Sequence, residues 1–246
     1  MDKALAVVDF KQYAVFKAGA DLRSIISENM GGAGLTAFGL DRARVPAGGI
    51  VQWLVPTLDD PSAMLKSIEG IILYKRPNRS FWKQDFASKQ QNSPPDCSSS
   101  DLIEGNGTPG GLCKSCPYNE YGSMGDGKLG KRCRETMFLF VLRPNEILPL
   151  FVAAPTMSVK PMNDYLKRLT SQATLYYHVV TGLELEQVKN ASGIAYAKIK
   201  PRLLGRVPEN DRSQVNNIRQ ALMPFLSEVA LTYEDVEPGR DATLDE

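Results

Sequence analysis

The four cysteines of this 246-residue chain are its most restrictive feature, because all of them fall within 37 residues. They are Cys97, Cys113, Cys116 and Cys133, with the spacing Cys-x15-Cys-x2-Cys-x16-Cys. A Cys-x-x-Cys pair places two thiolates at the separation that chelates one metal ion, and two further cysteines complete a tetrahedron. The spacing predicts one structural Zn²⁺ ion, with an iron–sulfur cluster, disulfides or free thiols as the alternatives.

The segment 78–135, which contains the cysteines, has no sustained hydrophobic period and is rich in Gly, Ser, Pro and Asn. A structureless loop of this length is uncommon inside a compact domain unless something else orders it. Metal binding would supply the ordering free energy. Because a site with four thiolates has no open position for water, we expect a structural zinc ion and not a catalytic one.

The rest of the chain predicts a cytoplasmic protein. No apolar run reaches the roughly 18 residues that span a bilayer, and the first residues lack the apolar region and cleavage site of a signal peptide. We therefore expect no membrane contact and a location in the cytoplasm. In that reducing compartment, clustered cysteines favour metal over disulfides.

The formal net charge of +1 conceals an asymmetry along the chain. Residues 233–246 hold six acidic residues and one arginine, a net charge of −5, so the remaining body carries +6. We expect this acidic tail to be disordered. It either keeps the protein soluble, competes for a cationic groove, or recruits replication or recombination proteins.

Hydrophobic patterns predict a mainly β, α+β fold with five core strands. The predicted strands are 68–77, 136–143, 147–154, 174–189 and 193–204, and the one helix between them is 156–171. A helix between the third and fourth of five strands is the element order of an OB-fold barrel, which binds oligonucleotides. The cysteine segment would then occupy loop 1–2 of the barrel. Another small α+β or β-barrel domain is the alternative.

Four regions follow from this assignment. Residues 1–66 form an N-terminal extension that packs on the barrel, with a short helix at 20–29 and strands at 35–40 and 50–55. Residues 67–207 form the OB-fold-like core that includes the zinc loop. Residues 208–232 form a C-terminal helix, and the acidic tail follows.

A run of alternating basic and aromatic residues leads into the cysteine segment. Cations that neutralise phosphates, together with rings that stack on bases, are typical of proteins that bind single strands. We predict nucleic-acid contacts at Tyr74, Lys75, Arg76, Arg79, Phe81, Trp82, Lys83, Tyr121, Lys131, Arg132 and Arg134. Two alternatives apply: any of the rings could be a core residue, and cations near the cysteines, including Lys114, could offset the −2 charge of a Zn(Cys)4 centre.

Other features favour a protein that is not an enzyme. The chain has a single histidine, His178, and we find neither a Walker loop nor a nucleophile elbow. The cations of the last predicted strand, Lys198, Lys200 and Arg202, are typical of a solvated face.

The run CKSCPYNEYGSMGDGKLGKRCRE resembles a group of phage and mobile-element proteins, as do the stretches LPLFVAAPTM, YYHVVTGLELEQ and GIAYAKIK. The resemblance covers roughly residues 68–204 and implies single-stranded DNA binding in phage replication or recombination. The chain also resembles phage single-strand binding proteins that carry zinc within an OB-fold and end in an acidic tail. It departs from them in its four cysteines, where they use a mixed His/Cys set. Unlike the tails of bacterial single-strand binding proteins, its tail has no terminal aromatic residue.

The sequence therefore predicts a zinc-containing protein that coats single-stranded DNA. Two alternatives remain from other classes. A regulator that reads duplex DNA would prefer a duplex of particular sequence, and a protein-interaction module that docks its zinc loop on a host factor would bind no nucleic acid.

Overall fold

The computed structural model describes residues 6–7, 12–13, 22–31, 39–45, 49–83, 94–125, 130–189, 193 and 195–229. These residues form a mixed α+β fold that is mostly sheet, which confirms the coarse fold class. The acidic tail at 233–246 and most of the strand predicted at 35–40 lie outside the described residues. Within that part of the chain, no helix has the length and apolar character needed to cross a membrane.

The strands are β1 (Ala6–Val7), β2 (Arg42–Ala43), β3 (Trp53–Val55), β4 (Ala63–Leu65), β5 (Ser67–Phe81), β6 (Cys97–Ser99), β7 (Glu104–Gly107), β8 (Gly111–Leu112), β9 (Arg134–Leu142), β10 (Leu150–Ala154), β11 (Val179–Lys189) and β12 (Ala195–Arg206). The helices are α1 (Leu22–Met30), α2 (Thr156–Ser171) and α3 (Arg212–Glu228). Helix α2 has the predicted bounds because its apolar residues recur at helical spacing.

Five strands form the centre of the sheet in the order β12-β11-β5-β9-β10, and each pairs antiparallel with its neighbour. They correspond to the five predicted core strands. Strand β5 extends four residues beyond its predicted end, and its last residues pair with β6, which begins at Cys97. The sheet thus continues into the cysteine segment, which lies between β5 and β9 as predicted.

The sheet is not closed in the described residues, so the predicted OB-fold barrel is not confirmed. Closure would require the two outer strands of the central five, β10 and β12, to pair. Both outer edges are occupied by strands of the N-terminal extension instead: β2 pairs parallel with β10, and β1 pairs parallel with β12.

The part of the outer edge of β12 that β1 does not cover is also blocked by its own sequence, since β1 pairs only with Gly205 and Arg206. The backbone N–H of Ile199 donates to the Ser158 hydroxyl of α2 at 2.9 Å, so it points away from β11. Because N–H direction alternates along a strand, Pro201 faces the same edge, and proline has no N–H to donate. A further strand would find few partners there.

Each face of the sheet is covered by a helix. Helix α2 buries Val159, Met162 and Leu169 against one face. Helix α3 buries Val215, Leu222 and Leu226 against the other face. This arrangement places the start of α2 beside β9 and the end of the cysteine segment.

Replacing Ser158 with alanine is expected to destabilise the protein. Ser158 is fully buried, and its loss would leave the Ile199 N–H without a partner. An unsatisfied buried donor costs about 1–3 kcal/mol, which urea denaturation would measure. Thr170→Ala is the matched control, because that exposed hydroxyl donates only to a carbonyl of its own helix. Equal stability of the two variants would contradict this role for Ser158.

Candidate metal centre and nucleic-acid interface

Strand β6 places Cys97 in the sheet, where it pairs with Phe81 of β5 on one side and Gly107 of β7 on the other. The hairpin of β7 and β8 then leads the chain back to the next cysteine. Gly105 pairs with Gly111 in this hairpin, and the N–H of Cys113 donates to the Ile103 carbonyl at 2.8 Å. Backbone pairing therefore brings Cys97 and Cys113 together, although they are 16 residues apart.

Two consecutive 3-10 turns, Cys113–Ser115 and Pro117–Asn119, form a compact turn around the Cys-x-x-Cys pair. The Asn119 side chain donates to the Cys113 carbonyl at 2.7 Å, and its N–H donates to the Cys116 carbonyl at 2.9 Å. The N–H of Cys133 donates to the Tyr118 carbonyl at 2.8 Å. The same turn that orients the middle cysteines therefore also holds the last one.

Electrostatics indicates that the four thiols share one environment. Burial, together with the neighbouring thiols Cys116, Cys113 and Cys97, raises the pKa of Cys133 to about 11, against the lowering effect of Arg79. All four cysteines are free thiols. In the described ranges, no three His, Cys, Asp or Glu side chains reach the spacing of a formed metal centre. The thiols are therefore gathered but not in a coordination geometry.

Gly105 leaves the space that the sulfur of Cys97 occupies. A Cβ atom at this position would lie 2.8 Å from the Cys97 sulfur. The backbone of Gly105 does not require glycine, since its φ is outside the left-handed region. Glycine at this position therefore makes room for the Cys97 sulfur and is not needed for the backbone conformation of the turn.

We expect Gly105→Ala to displace Cys97 and to weaken zinc retention by about 5- to 150-fold, since one strained ligand costs on the order of 1–3 kcal/mol. Gly111→Ala is the control: its φ of +77° makes alanine strained, but its Cβ would meet no atom within 4 Å. Competition with a colorimetric zinc chelator measures the effect. Equal zinc retention in the two variants would contradict the steric role.

Three of the predicted phosphate contacts on β5 are engaged inside the protein. Arg79 pairs with Glu135 at 3.1 Å and donates to the Leu102 carbonyl. Arg76 donates to the Val229 carbonyl and lies over the Phe138 ring, 4.8 Å from its centroid. Lys75 lies over the Tyr176 ring, and burial lowers the pKa of both Lys75 and Arg76. These side chains connect elements of the fold, so their position argues against phosphate binding.

The predicted stacking rings divide into two groups. Phe81 and Trp82 are each only 3% exposed, and Phe81 stacks on Tyr118 with 4.1 Å between ring centroids. Tyr74 is half-buried and packs on Phe140. Burial leaves Phe81 and Trp82 no free face for a base, so the core alternative applies to them. Tyr121 differs, because it is 72% exposed.

The remaining predicted cations lie around the cysteines. Lys83 and Lys131 are exposed, and Lys131 donates to the Asn119 side chain at 3.1 Å. Arg132 is half-buried, donating to the Lys83 carbonyl at 2.6 Å and lying over the Phe81 ring. Arg134, also half-buried, lines a groove together with Lys131 and Tyr121. The predicted phosphate contacts that are still exposed therefore lie mainly near the cysteines.

This groove has a volume of about 520 Å³ and separates the end of the cysteine segment from the first turns of α2. The hydroxyl of Thr156 on α2 donates to the Glu135 carbonyl at 2.7 Å, and this hydrogen bond joins the two walls of the groove. Sequence reasoning missed Met157 and Asn163, which line the α2 wall with Lys160. These residues belong to the predicted helix, but the pattern did not show what their side of the helix lies beside.

The exposed side of α2, next to the groove, also carries more basic than acidic side chains. Lys160, Lys167 and Arg168 lie around a single carboxylate, Asp164, and they lower its pKa, chiefly through the hydrogen bond from Lys160. By contrast, the cations of β12 are matched by acids across the strand pair: Lys200 lies 3.5 Å from Glu186, and Arg202 lies 3.2 Å from Glu184. The positive surface therefore extends over α2 and not over β12.

Comparisons with protein-family models, with curated proteins and with solved structures give no match. The function must therefore be inferred from the chemistry of the site. That site combines four gathered thiols, exposed lysines, one exposed tyrosine ring and a groove against α2.

Proposed function

We propose that this protein binds single-stranded DNA through a zinc-ordered segment and serves replication or recombination of a phage or mobile element without being an enzyme. The segment, here named the zinc module, comprises residues 94–125 and 130–134. The observation that carries the proposal is that four thiols from three parts of the chain lie near one another in a segment that also carries exposed lysines. The module's own backbone pairing and its turns deliver each cysteine to that place.

The donor set suits zinc. Four thiolates form a closed tetrahedral site, and the bound ion would supply folding free energy and no reaction. Cys97, Cys113, Cys116 and Cys133 would hold it. The Zn(Cys)4 centre would carry a charge of −2, and Arg79 lies close enough to Cys133 to offset part of it. Arg79 therefore has a role in the metal centre in place of the predicted phosphate contact.

The surface suits a polyanion. Lys83, Lys114 and Lys131 are exposed on or beside the zinc module, and Tyr121 presents a ring to solvent. We further propose that the sheet is an opened relative of the OB-fold barrel, in which the strand order 5-4-1-2-3 is kept and the zinc module occupies loop 1–2. In a closed OB-fold, that loop contacts the nucleic acid.

Fluorescence anisotropy with labelled oligothymidine and a matched duplex, at about 50 and 200 mM salt, tests the proposal. We expect tighter binding of the single strand, weakening with salt by a slope of about −0.7 per neutralised phosphate. A preference for duplex would overturn the proposal in favour of a duplex-reading regulator. No binding to either probe would overturn it in favour of a protein-docking module.

A further inference from the structure

The groove between the zinc module and α2 has the dimensions of a small-ligand site. Its volume of about 520 Å³ lies within the range of 300–1,000 Å³ that is typical of such sites. One nucleotide of a strand fits a groove of this size. A base pair in a duplex does not present its faces to such a groove, because the bases are stacked on one another.

Two large apolar side chains face solvent across this groove. Tyr121 on the zinc module is 72% exposed, and Met157 on α2 is 54% exposed. Exposed aromatic rings stack on bases, and the thioether of methionine makes favourable contacts with rings of varied shape. An exposed ring opposite an exposed thioether is the arrangement that a base between them would bury.

The charges of the groove favour a phosphate. Lys131 and Arg134 lie on one wall and Lys160 on the other. Of the lining groups that can carry negative charge, Glu135 is paired with Arg79 at 3.1 Å, and Cys133 lies close to the same arginine. Lys160 pairs with Asp164 at 2.9 Å, but both side chains are exposed. Exposed pairs of this kind contribute little, so Lys160 can exchange its partner for a phosphate.

We propose that this groove binds one nucleotide of the single strand, with its base between Tyr121 and Met157 and its flanking phosphates at Lys131 and Lys160. The inference rests on the proposed function and names its binding site. This site lies away from the basic and aromatic run that begins on β5. In that run Phe81 and Trp82 are buried, and Arg76 donates to a backbone carbonyl. The groove also gives α2, which covers one face of the sheet, a second role.

The test measures the affinity of oligothymidine for full-length variants by anisotropy. Loss of one stacking ring weakens binding by about 5- to 150-fold, which we expect for Tyr121→Ala. Tyr121→Phe keeps the ring and should bind within about twofold of the wild type. Lys131→Ala and Lys160→Ala should each reduce the salt slope by about 0.7. Lys200→Ala is the matched control, because that exposed lysine lies on β12 and does not line the groove.

All these side chains are exposed, so the variants are expected to keep the zinc content and thermal unfolding midpoint of the wild type. If the wild type binds oligothymidine and the Tyr121, Lys131 and Lys160 variants bind equally well, the groove assignment is wrong while the proposed function stands. A Tyr121→Ala variant that loses duplex affinity to the same extent also contradicts it. If the wild type binds no single strand, the proposed function itself fails.

Discussion

Replacing Cys113 with serine is expected to abolish stoichiometric zinc binding and to unfold the zinc module. Cys113 is the most buried of the four cysteines, and its carbonyl is the acceptor for the Asn119 side chain at the centre of the turn. Structural zinc contributes about 10–16 kcal/mol of apparent binding free energy in small domains. The short strands β6, β7 and β8 bury little apolar surface of their own, so little else would replace this free energy.

Elemental analysis of the purified variant measures the loss directly, and limited proteolysis measures the unfolding. Ser115→Ala is the matched control, since Ser115 lies within the same turn, is exposed and has only a weak 3.4 Å hydrogen bond. The chain has four cysteines in all, so a thiol reagent reports on this site alone. Full zinc content in Cys113→Ser would contradict the assignment, as would a zinc-free wild type with a protease-resistant module.

Trp53→Ala, a change on β3 of the separate β3-β4 hairpin, is expected to produce a large loss of stability. Trp53 is fully buried in the core beneath α2, and its indole N–H donates to the Leu183 carbonyl of β11 at 2.7 Å. Truncation of a buried tryptophan costs about 3–5 kcal/mol. Because Trp53 belongs to the N-terminal extension, its loss would also weaken the packing of that extension on the central sheet.

Urea denaturation measures this effect, with Trp53→Phe as the control. Phenylalanine keeps most of the buried ring but removes the donor, so we expect that variant to lose only about 1–3 kcal/mol. A loss below about 1 kcal/mol for Trp53→Ala would show that the extension does not stabilise the sheet. Equal losses for both variants would assign the effect to the hydrogen bond alone.

The elements with strong periodicity could be predicted from the sequence. Helix α2 has the predicted residues, and the five central strands follow the predicted order, because each carries an apolar face long enough to be recognised. The open sheet could not be predicted. It depends on β1 and β2, which are two residues each and have no pattern of their own. It also depends on a hydrogen bond between Ser158 and Ile199 that joins distant parts of the chain.

The cysteines of the candidate site could be predicted from the sequence, but which of the rings and cations are exposed could not. Spacing alone indicates that Cys113 and Cys116 act together. The burial of Phe81 and Trp82 depends on what packs against them, and alternation of cations and rings is the same for a buried strand and a binding face. Arg79 belongs to the basic and aromatic run, which predicts a phosphate contact. Its actual partner, Glu135, could not be predicted, because it lies 56 residues away and no local pattern connects the two.

The most direct test of the account is oligothymidine binding by the same protein sample before zinc removal, after removal with chelator under reducing conditions, and after zinc is restored. We predict salt-dependent binding that is lost with the metal, because Tyr121 and Lys131 lie on the zinc module, and that returns when zinc is added. Affinity that is unchanged without zinc would contradict the claim that the metal orders the binding surface.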